Sequence, residues 1–257
     1  MHRGFSLVEL SIVLVILGLL VGGVLSGQSL IRAAELRAVT SEYQRYATAT
    51  NSFRDKYFQL PGDMNNAESF WTTLNATNAT CRDTASTSTA TCNGDGDGAI
   101  EIQSTRSREL FRFWQHLANA GLIEGSYSGT LTNSTPWGVA IGTNAPASKL
   151  GRGTWSVVAQ ADVAVWGGFY NNIFQPTASN WLQFGAVEVD FWNYRSILKT
   201  EEAWNIDTKI DDGLPGTGKM TTYKASFLPN CVSSSTSSSA TYILNQSGVN
   251  CVVLFGI

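Results

Sequence analysis

Charged residues are scarce in this chain. Its 257 residues include 17 Lys and Arg against 20 Asp and Glu, so that 14% are charged, whereas a typical soluble domain carries about 25%. The net charge is −3 and the basic residues form no cluster. This argues against a nucleic-acid-binding surface, because phosphate recognition needs grouped Lys and Arg side chains. Aromatic residues are plentiful, with 8 Trp, 8 Tyr and 12 Phe, so the chain can bury a core rather than stay disordered.

Histidine is nearly absent, which limits the catalytic chemistry available. The chain has only His2 and His116, and no Ser or Cys nucleophile pattern accompanies His116, which we interpret as a histidine satisfied within a helix. Glu188 and Asp190 alternate on one face of a predicted strand, where a solvated or ion-binding edge is the commoner role for such a pair. No catalytic set of residues is identified, and we predict a protein without enzymatic activity.

The hydrophobic residues are concentrated near the amino terminus. Residues 5–25 read FSLVELSIVLVILGLLVGGVL, with Glu9 as the single charge, and a helix of this length spans about 30 Å, enough to cross a membrane. Over residues 26–58 apolar side chains recur every three to four positions, which predicts an amphipathic continuation of the same helix. The sequence Leu60-Pro61-Gly62 is predicted to end it, because Pro disfavours helix at the preceding residue.

A single carboxylate lies near the start of the apolar run. Glu9 is costly there unless it is solvated at the membrane surface or paired with a positive charge. The surrounding sequence, RGFSLVEL at residues 3–10, resembles the processing site of type IV prepilins and pseudopilins. A glycine followed by Phe, with Glu five positions beyond the glycine and an apolar run after it, is a specific combination.

That resemblance implies a defined maturation and assembly. In the family a dedicated peptidase cleaves after the glycine, here Gly4, and the new amino terminus, here Phe5, is N-methylated. The glutamate that corresponds to Glu9 pairs with the amino terminus of a neighbouring subunit. A buried carboxylate and a buried ammonium group satisfy each other in an apolar helical bundle, whereas either alone would be costly.

The resemblance also implies the fold class and the location. Pilin-like proteins are α+β, with the long amino-terminal helix packed on an antiparallel sheet, and here we expect a head with helical and disulfide-bonded loop insertions. We divide the chain into a cytoplasmic leader (1–4), a transmembrane or assembly half (5–25), an amphipathic half (26–58) and an extracytoplasmic head (59–257). The chain is expected first in the bacterial inner membrane with a periplasmic head, and then in a periplasmic pseudopilus or an extracellular pilus.

The predicted function is that of a structural subunit of a type IV pilus or of a type II secretion pseudopilus-like filament. Its expected partners are homologous subunits, the prepilin peptidase and methyltransferase, the inner-membrane assembly platform and the membrane. Major pilins usually carry a proline where this chain has Ser26, and the head is large, so a minor or specialised subunit is favoured. A DNA-uptake fibre also stays open. The alternative is a membrane-anchored ectodomain that binds or hydrolyses carbohydrate and never polymerises.

Four cysteines agree with an exported head. Cys81 and Cys92 are 11 positions apart and Cys231 and Cys251 are 20 apart, and an even number in such a domain favours two disulfides. Of the three possible pairings we favour the local one, Cys81–Cys92 with Cys231–Cys251, because each bond closes a Ser- and Thr-rich loop. Zinc is the alternative use, but the chain has no Cys-x-x-Cys pair.

The sequence NGDGDGAIE at residues 93–101 has the pattern of a calcium-binding loop. Oxygen-bearing side chains alternate along it and a glycine follows them, as in the first half of such a loop. The position of the closing carboxylate holds Ser104, which leaves Glu101 or Glu109 as substitutes. The pattern is therefore incomplete, and a Gly- and Asp-rich turn without metal is the alternative. We predict calcium as a cofactor, with ligands drawn from Asn93, Asp95, Asp97, Ala99 and Glu101.

A second glycine-rich sequence, GLPGTGK at residues 213–219, matches the first seven positions of a phosphate-binding loop. Met220 stands where that loop needs a Ser or Thr to hold magnesium. A predicted helix end precedes the sequence instead of a buried strand, and we interpret it as a Gly and Pro turn. Asp211 and Asp212 could bind a cation or cap backbone amides, and the sequence does not decide between these roles.

The rest of the head shows a mixed pattern. A helix is predicted over residues 104–120, with His116 on it, and a shorter one over residues 200–211 with Thr200 as its cap. Aromatic and β-branched segments predict strands, near residues 137–142, 154–166, 181–192, 219–228, 241–245 and 250–255.

Overall fold

The computed structural model describes residues 6–74, 89–101, 109–130, 138–159, 180–187, 193–222, 228, 230–234 and 239–257. In these ranges the chain forms three α-helices and six β-strands. The predicted leader, Cys81, Ser104, Glu188 and Asp190 lie outside the described residues.

The first helix, α1, runs from Leu7 to Tyr57 without a break. Its 51 residues extend about 76 Å at the helical rise of about 1.5 Å per residue. The helix ends at Phe58, which adopts a left-handed conformation with φ of 57° and donates its N–H to the carbonyl of Arg54. The continuous helix is confirmed, but its end precedes the predicted stop at Leu60-Pro61-Gly62 because this cap closes the last turn first.

The head is built on a four-stranded antiparallel sheet in the order β1-β2-β6-β4. Its strands are β1 (Gly153–Ala159), β2 (Asn180–Ala186), β4 (Met220–Thr222) and β6 (Val253–Gly256). Residues 26–57 of α1, here called its lower half, pack on this sheet through aromatic contacts. Tyr43 stacks on Phe255 with ring centroids 4.5 Å apart, and Tyr46 meets Trp155 edge-on with ring centroids 5.7 Å apart. A long helix on an antiparallel sheet is the predicted α+β, pilin-like fold class, which is confirmed.

Two further helices complete the described head. Helix α2 (Glu109–Asn119) places Trp114 against Tyr46 of α1 at 5.0 Å, and helix α3 (Thr200–Ile210) follows the short strand β3 (Leu198–Lys199). Strand β3 pairs with β5 (Val249–Cys251). Thr200 is the first helical residue and Lys199 the cap, so the predicted cap is off by one position.

The strand predicted near residues 137–142 is wrong over its described part. Residues 138–145 form a turn around the buried side chain of Asn144, which accepts the N–H of Ala140 and donates to the carbonyls of Gly138 and Thr130. The Asn144 amide group accepts one hydrogen bond and donates two, and these hold the backbone in a compact turn that an extended strand could not adopt.

One predicted disulfide lies fully within the described residues. Cys231 and Cys251 are bonded, with Cα atoms 5.2 Å apart, which confirms that half of the predicted pairing. Cys92 is buried, but its predicted partner Cys81 lies outside the described residues, so the bond between them stays a prediction.

Candidate functional site

The first turn of α1 holds the residue predicted to direct assembly. The backbone N–H of Ser6 donates to Oε2 of Glu9 at 2.9 Å, while the Ser6 hydroxyl accepts the N–H of Val8 at 3.3 Å. This is a capping box, in which side chains satisfy amides that the helix itself cannot. Glu9 therefore caps its own helix in the single chain. Gly4 and Phe5, the predicted processing residues, lie outside the described residues.

Within the described residues, the head does not cover residues 7–25 of α1, here called its upper half. Leu7 is 83% exposed and Leu19 is 73% exposed. The most apolar stretch of the helix is entirely unburied in the single chain. By length and composition the segment can cross a membrane. An exposed apolar surface of this extent marks a contact with lipid or with other protein.

An ion pair joins α1 to α3 where the helix enters the head. The guanidinium group of Arg32 donates from Nε and Nη2 to the two carboxylate oxygens of Glu202, at 2.7 and 2.6 Å. Burial opposes ionisation of Glu202, but the hydrogen bonds from Arg32 and from the N–H of Lys199 outweigh burial and lower its pKa. Nothing in the sequence indicates this two-point contact, because its partners lie 170 positions apart. The contact favours one orientation of the helices.

A buried carboxylate fixes the lower half of α1 to the sheet. Glu42 lies outside the apolar repeat of α1, yet it is buried. Its side chain is 7% exposed and accepts hydrogen bonds from the N–H of Lys149 at 2.9 Å and from Nε1 of Trp155 at 2.8 Å. Two donors compensate for the lost hydration of the carboxylate.

The predicted calcium loop folds around Asp63, a residue that the sequence pattern did not include. The carboxylate of Asp63 accepts the N–H groups of Gly96, Asp97 and Gly98 at 2.7, 3.1 and 3.0 Å. Asp63 is 3% exposed, and burial together with the charges of Asp97 and Asp95 raises its pKa to about 6. The loop thus binds an internal anion through its backbone.

The structure brings only some of the predicted calcium ligands together. Carboxylate oxygens of Asp95, Asp97 and Asp63 lie within 4.8 Å of one another. Oδ1 of Asn93 instead accepts the N–H of Glu68 at 3.0 Å, and the N–H of Ala99 donates to Oδ1 of Asp97 at 2.8 Å. Calcium at this loop stays a prediction.

Glu109, one of the two possible substitutes for the closing carboxylate, lies beneath the same loop. Glu109, at the start of α2, is fully buried and accepts the N–H groups of Asp95 and Glu101 at 3.1 and 3.2 Å. Burial, joined by the nearby charge of Asp63, raises the pKa of Glu109 to about 9. The loop is therefore held by two acidic side chains, Asp63 and Glu109, that lie outside it.

The loop at residues 213–219 has the turn role expected of it. The N–H of Leu214 donates to Asp212 at 2.8 Å, and the N–H groups of Lys219 and Met220 donate to Asp211. These amides are the groups that a phosphate-binding loop presents to a nucleotide. Here they are occupied by the protein's own carboxylates, so the resemblance to a phosphate-binding loop carries no function.

His116 is satisfied inside the core. Its Nδ1 accepts the N–H of Gly62 at 3.0 Å, and its Nε2 lies 3.0 Å from the hydroxyl of Thr91. Burial and the positive charge of Arg112 lower the pKa of His116 to about 3. The side chain is therefore neutral, with the proton on Nε2, and the interpretation of a satisfied helix histidine is confirmed.

Comparison with known proteins identifies the amino-terminal segment. Residues 1–25 match the family model for the prokaryotic N-terminal methylation motif. No curated protein and no solved structure matches the chain. The motif, the long apolar helix that follows it and the α+β head together fit a type IV prepilin-like protein.

Proposed function

We propose that this protein is a minor or specialised structural subunit of a type IV pilus or a type II secretion pseudopilus-like filament. The observation that carries this proposal is the apolar upper half of α1, which begins within the methylation motif and which its own head leaves exposed. In the membrane, lipid covers this surface. In a filament, the same surface packs against the corresponding helices of neighbouring subunits, with the heads outside.

Processing prepares the amino terminus for that packing. Cleavage after Gly4 removes the leader and creates a positively charged amino group at Phe5, which is then N-methylated. Glu9 lies one helical turn further along. In the single chain Glu9 caps its own helix, and on assembly its carboxylate exchanges this contact for the amino terminus of a neighbour, which sets the register between subunits.

The contacts at the lower half of α1 transmit this register to the head. Arg32 pairs with Glu202, and Glu42 accepts hydrogen bonds from Lys149 and Trp155. These contacts fix the rotation of the helix relative to the sheet, so a subunit placed by its upper helix presents its head in one orientation.

Mass measurement of the mature chain tests the proposal. Protein purified from a host that carries the prepilin peptidase and methyltransferase is expected to begin at Phe5 with one added methyl group. In the control, Gly4→Val blocks entry of the cleavage site into the peptidase and leaves an unmethylated chain that keeps its leader. An intact amino terminus in the unmutated chain, or a cut beyond residue 25, would support an anchored or secreted ectodomain and overturn the proposal.

Assembly is tested separately by crosslinking. A variant with two cysteines on the exposed face of α1, Leu10→Cys with Leu14→Cys, is expected to crosslink into ladders of subunits when the filament genes are co-expressed. Cysteines at Asp55, which is exposed near the end of α1 beside the head, are the matched control and should give no ladder. Equal crosslinking at all positions would indicate aggregation instead.

A further inference from the structure

The C-terminal end of α3 carries three carboxylates that the filament role does not use. Asp207, Asp211 and Asp212, here called the α3 acid cluster, each place one carboxylate oxygen within 4.8 Å of the other two. The carboxyl end of a helix is the negative end of its dipole, where acidic side chains are unfavourable. Neither recorded ion pair between described residues, Arg32 with Glu35 or Arg32 with Glu202, involves this cluster.

Asp207 is the member that points to a ligand. Its side chain is fully buried, and its Oδ2 accepts the hydroxyl of Tyr242 at 2.8 Å. The backbone N–H of Gly213 also acts on this carboxylate, but among the described residues no hydrogen bond of normal geometry reaches its Oδ1. A buried carboxylate oxygen without a partner is costly, and native structures rarely keep one. The cluster around Asp63 differs on this point, because backbone N–H groups satisfy both oxygens of Asp63.

The other two carboxylates are held in place by the loop that follows. Asp211 accepts backbone N–H groups of Lys219 and Met220, and Asp212 accepts the N–H of Leu214 and the hydroxyl of Thr217. Each oxygen has two lone pairs, so these hydrogen bonds leave capacity for a further ligand. Gly218 lies against the Asp211 carboxylate, and its φ of 77° is a conformation that favours glycine.

We propose that Asp207, Asp211 and Asp212 form a binding site for a divalent cation of the calcium type. All three ligands are hard carboxylate oxygens, and the cluster contains no His or Cys, which suits calcium or magnesium and disfavours zinc or copper. Water and loop carbonyl groups would supply the remaining oxygens. The cation would tie the end of α3 to the loop before β4 and to the segment that carries Tyr242.

A proton is the competing ligand. Burial, followed by the negative charges of Asp212 and Asp211, raises the pKa of Asp207 to about 7. A protonated Asp207 could then satisfy its own Oδ1 by donating to a neighbouring carboxylate. Cation and proton are distinguished by experiment, because only the first responds to a chelator at constant pH.

The test uses the full-length chain in detergent, in an Asp95→Asn and Asp97→Asn background that removes the other acidic loop. After chelator treatment, calcium chloride is titrated by calorimetry and the melting temperature is recorded. We expect saturable binding and a rise in melting temperature. Asp211→Asn with Asp212→Asn should weaken calcium binding at least about tenfold, the size of effect that even outer-shell changes have at metal sites.

Further variants keep the test decisive. If the double substitution prevents folding, Asp212→Asn alone is used, because Asp212 is exposed and its amide can still accept the N–H of Leu214. The matched control is Asp55→Asn, an exposed aspartate on α1, which should leave calcium binding unchanged. Absence of calcium binding in the background protein, or binding that survives in the Asp212 variants, overturns the proposal, and stabilisation by acid alone would assign the site to a proton.

Discussion

The carboxylate of Glu42 on α1 accepts a hydrogen bond from the indole nitrogen of Trp155 on β1 at 2.8 Å. The same carboxylate accepts the N–H of Lys149 at 2.9 Å. One side chain therefore joins the long helix to a sheet strand and to the turn before that strand. Because it is buried, the contact is shielded from water and fixes the helix more firmly than a surface pair would.

Replacement of Glu42 by Ala is expected to destabilise the head. Two hydrogen bonds to a charged group are lost and two buried donors are left unpaired, so the free energy of unfolding should fall by about 3 kcal/mol. Glu42→Gln keeps one acceptor oxygen and should lose less. Urea denaturation followed by Trp fluorescence measures the change. The exposed Glu124 provides the control, and equal effects of Glu42→Ala and Glu124→Ala would contradict the structural role of Glu42.

The neutral state of His116 predicts a pH dependence of stability. Its pKa is about 3 in the folded chain and about 6.5 when unperturbed, so stability is fully present above about pH 6.5. As the pH falls from there toward 3, the unfolded chain takes up a proton that folded His116 does not. This loss amounts to at most about 1.4 kcal/mol per pH unit.

His116→Gln isolates this contribution. The variant should be less stable at neutral pH, because a buried network is disrupted, but its stability should fall less steeply between about pH 6.5 and 4. His2→Gln in the unprocessed chain, within the predicted leader, should leave the slope unchanged. Parallel slopes for the unmutated chain and His116→Gln would show that the histidine is already charged in the folded state.

Calcium binding by residues 93–101 would make the melting temperature of the protein sensitive to a chelator. If Asp95 and Asp97 bind calcium with Asp63, a chelator should lower the melting temperature, and Asp95→Asn with Asp97→Asn should reduce that response. Asp63→Asn differs, because it disturbs the three backbone hydrogen bonds as well. It should lower stability by about 2 kcal/mol with or without calcium. If the double variant responds to chelator as the unmutated chain does, residues 93–101 form a turn that does not bind metal.

The capping box at the start of α1 separates two roles of Glu9. Glu9→Gln keeps an oxygen that can accept the N–H of Ser6 but removes the charge, so the chain should accumulate in the membrane and fail to assemble. Ser6→Ala keeps the charge and removes the hydroxyl cap, at a cost of about 1 kcal/mol in helix stability, and should still assemble. Filament recovery by shearing and immunoblotting measures both. Assembly of Glu9→Gln at normal levels would exclude charge pairing as the basis of register.

Local patterns predicted the fold better than they predicted its polar contacts. Helix α1 was predictable because its pattern of apolar residues is local and can be read along one continuous stretch of sequence. Glu42 was not, because its partners lie 107 and 113 positions away and a lone carboxylate on a helix usually faces water. Asp63 was missed for the same reason, since the first loop amide that it binds is 33 positions further along. A Gly-Asp pair directly after Pro61 was the one available signal.

The end of α1 shows a different limit. Pro61 was a valid sign that the helix stops, but the stop occurs at Phe58, whose left-handed conformation is unusual for a residue with a bulky side chain. Phe58 is also 90% exposed. Sequence statistics favour Gly at such a position, so no rule based on residue type would have placed the cap there.

Helix α1 also determines how the head would bear mechanical load. Its buried residues extend from Val39 to Phe53, along one continuous rod that is embedded in the head. Tension applied through the upper half therefore acts parallel to the helix axis and shears all of these contacts together, instead of peeling them apart one after another. In a fibre built from such subunits, pulling on one helix would have to break all of its buried contacts with the head at once.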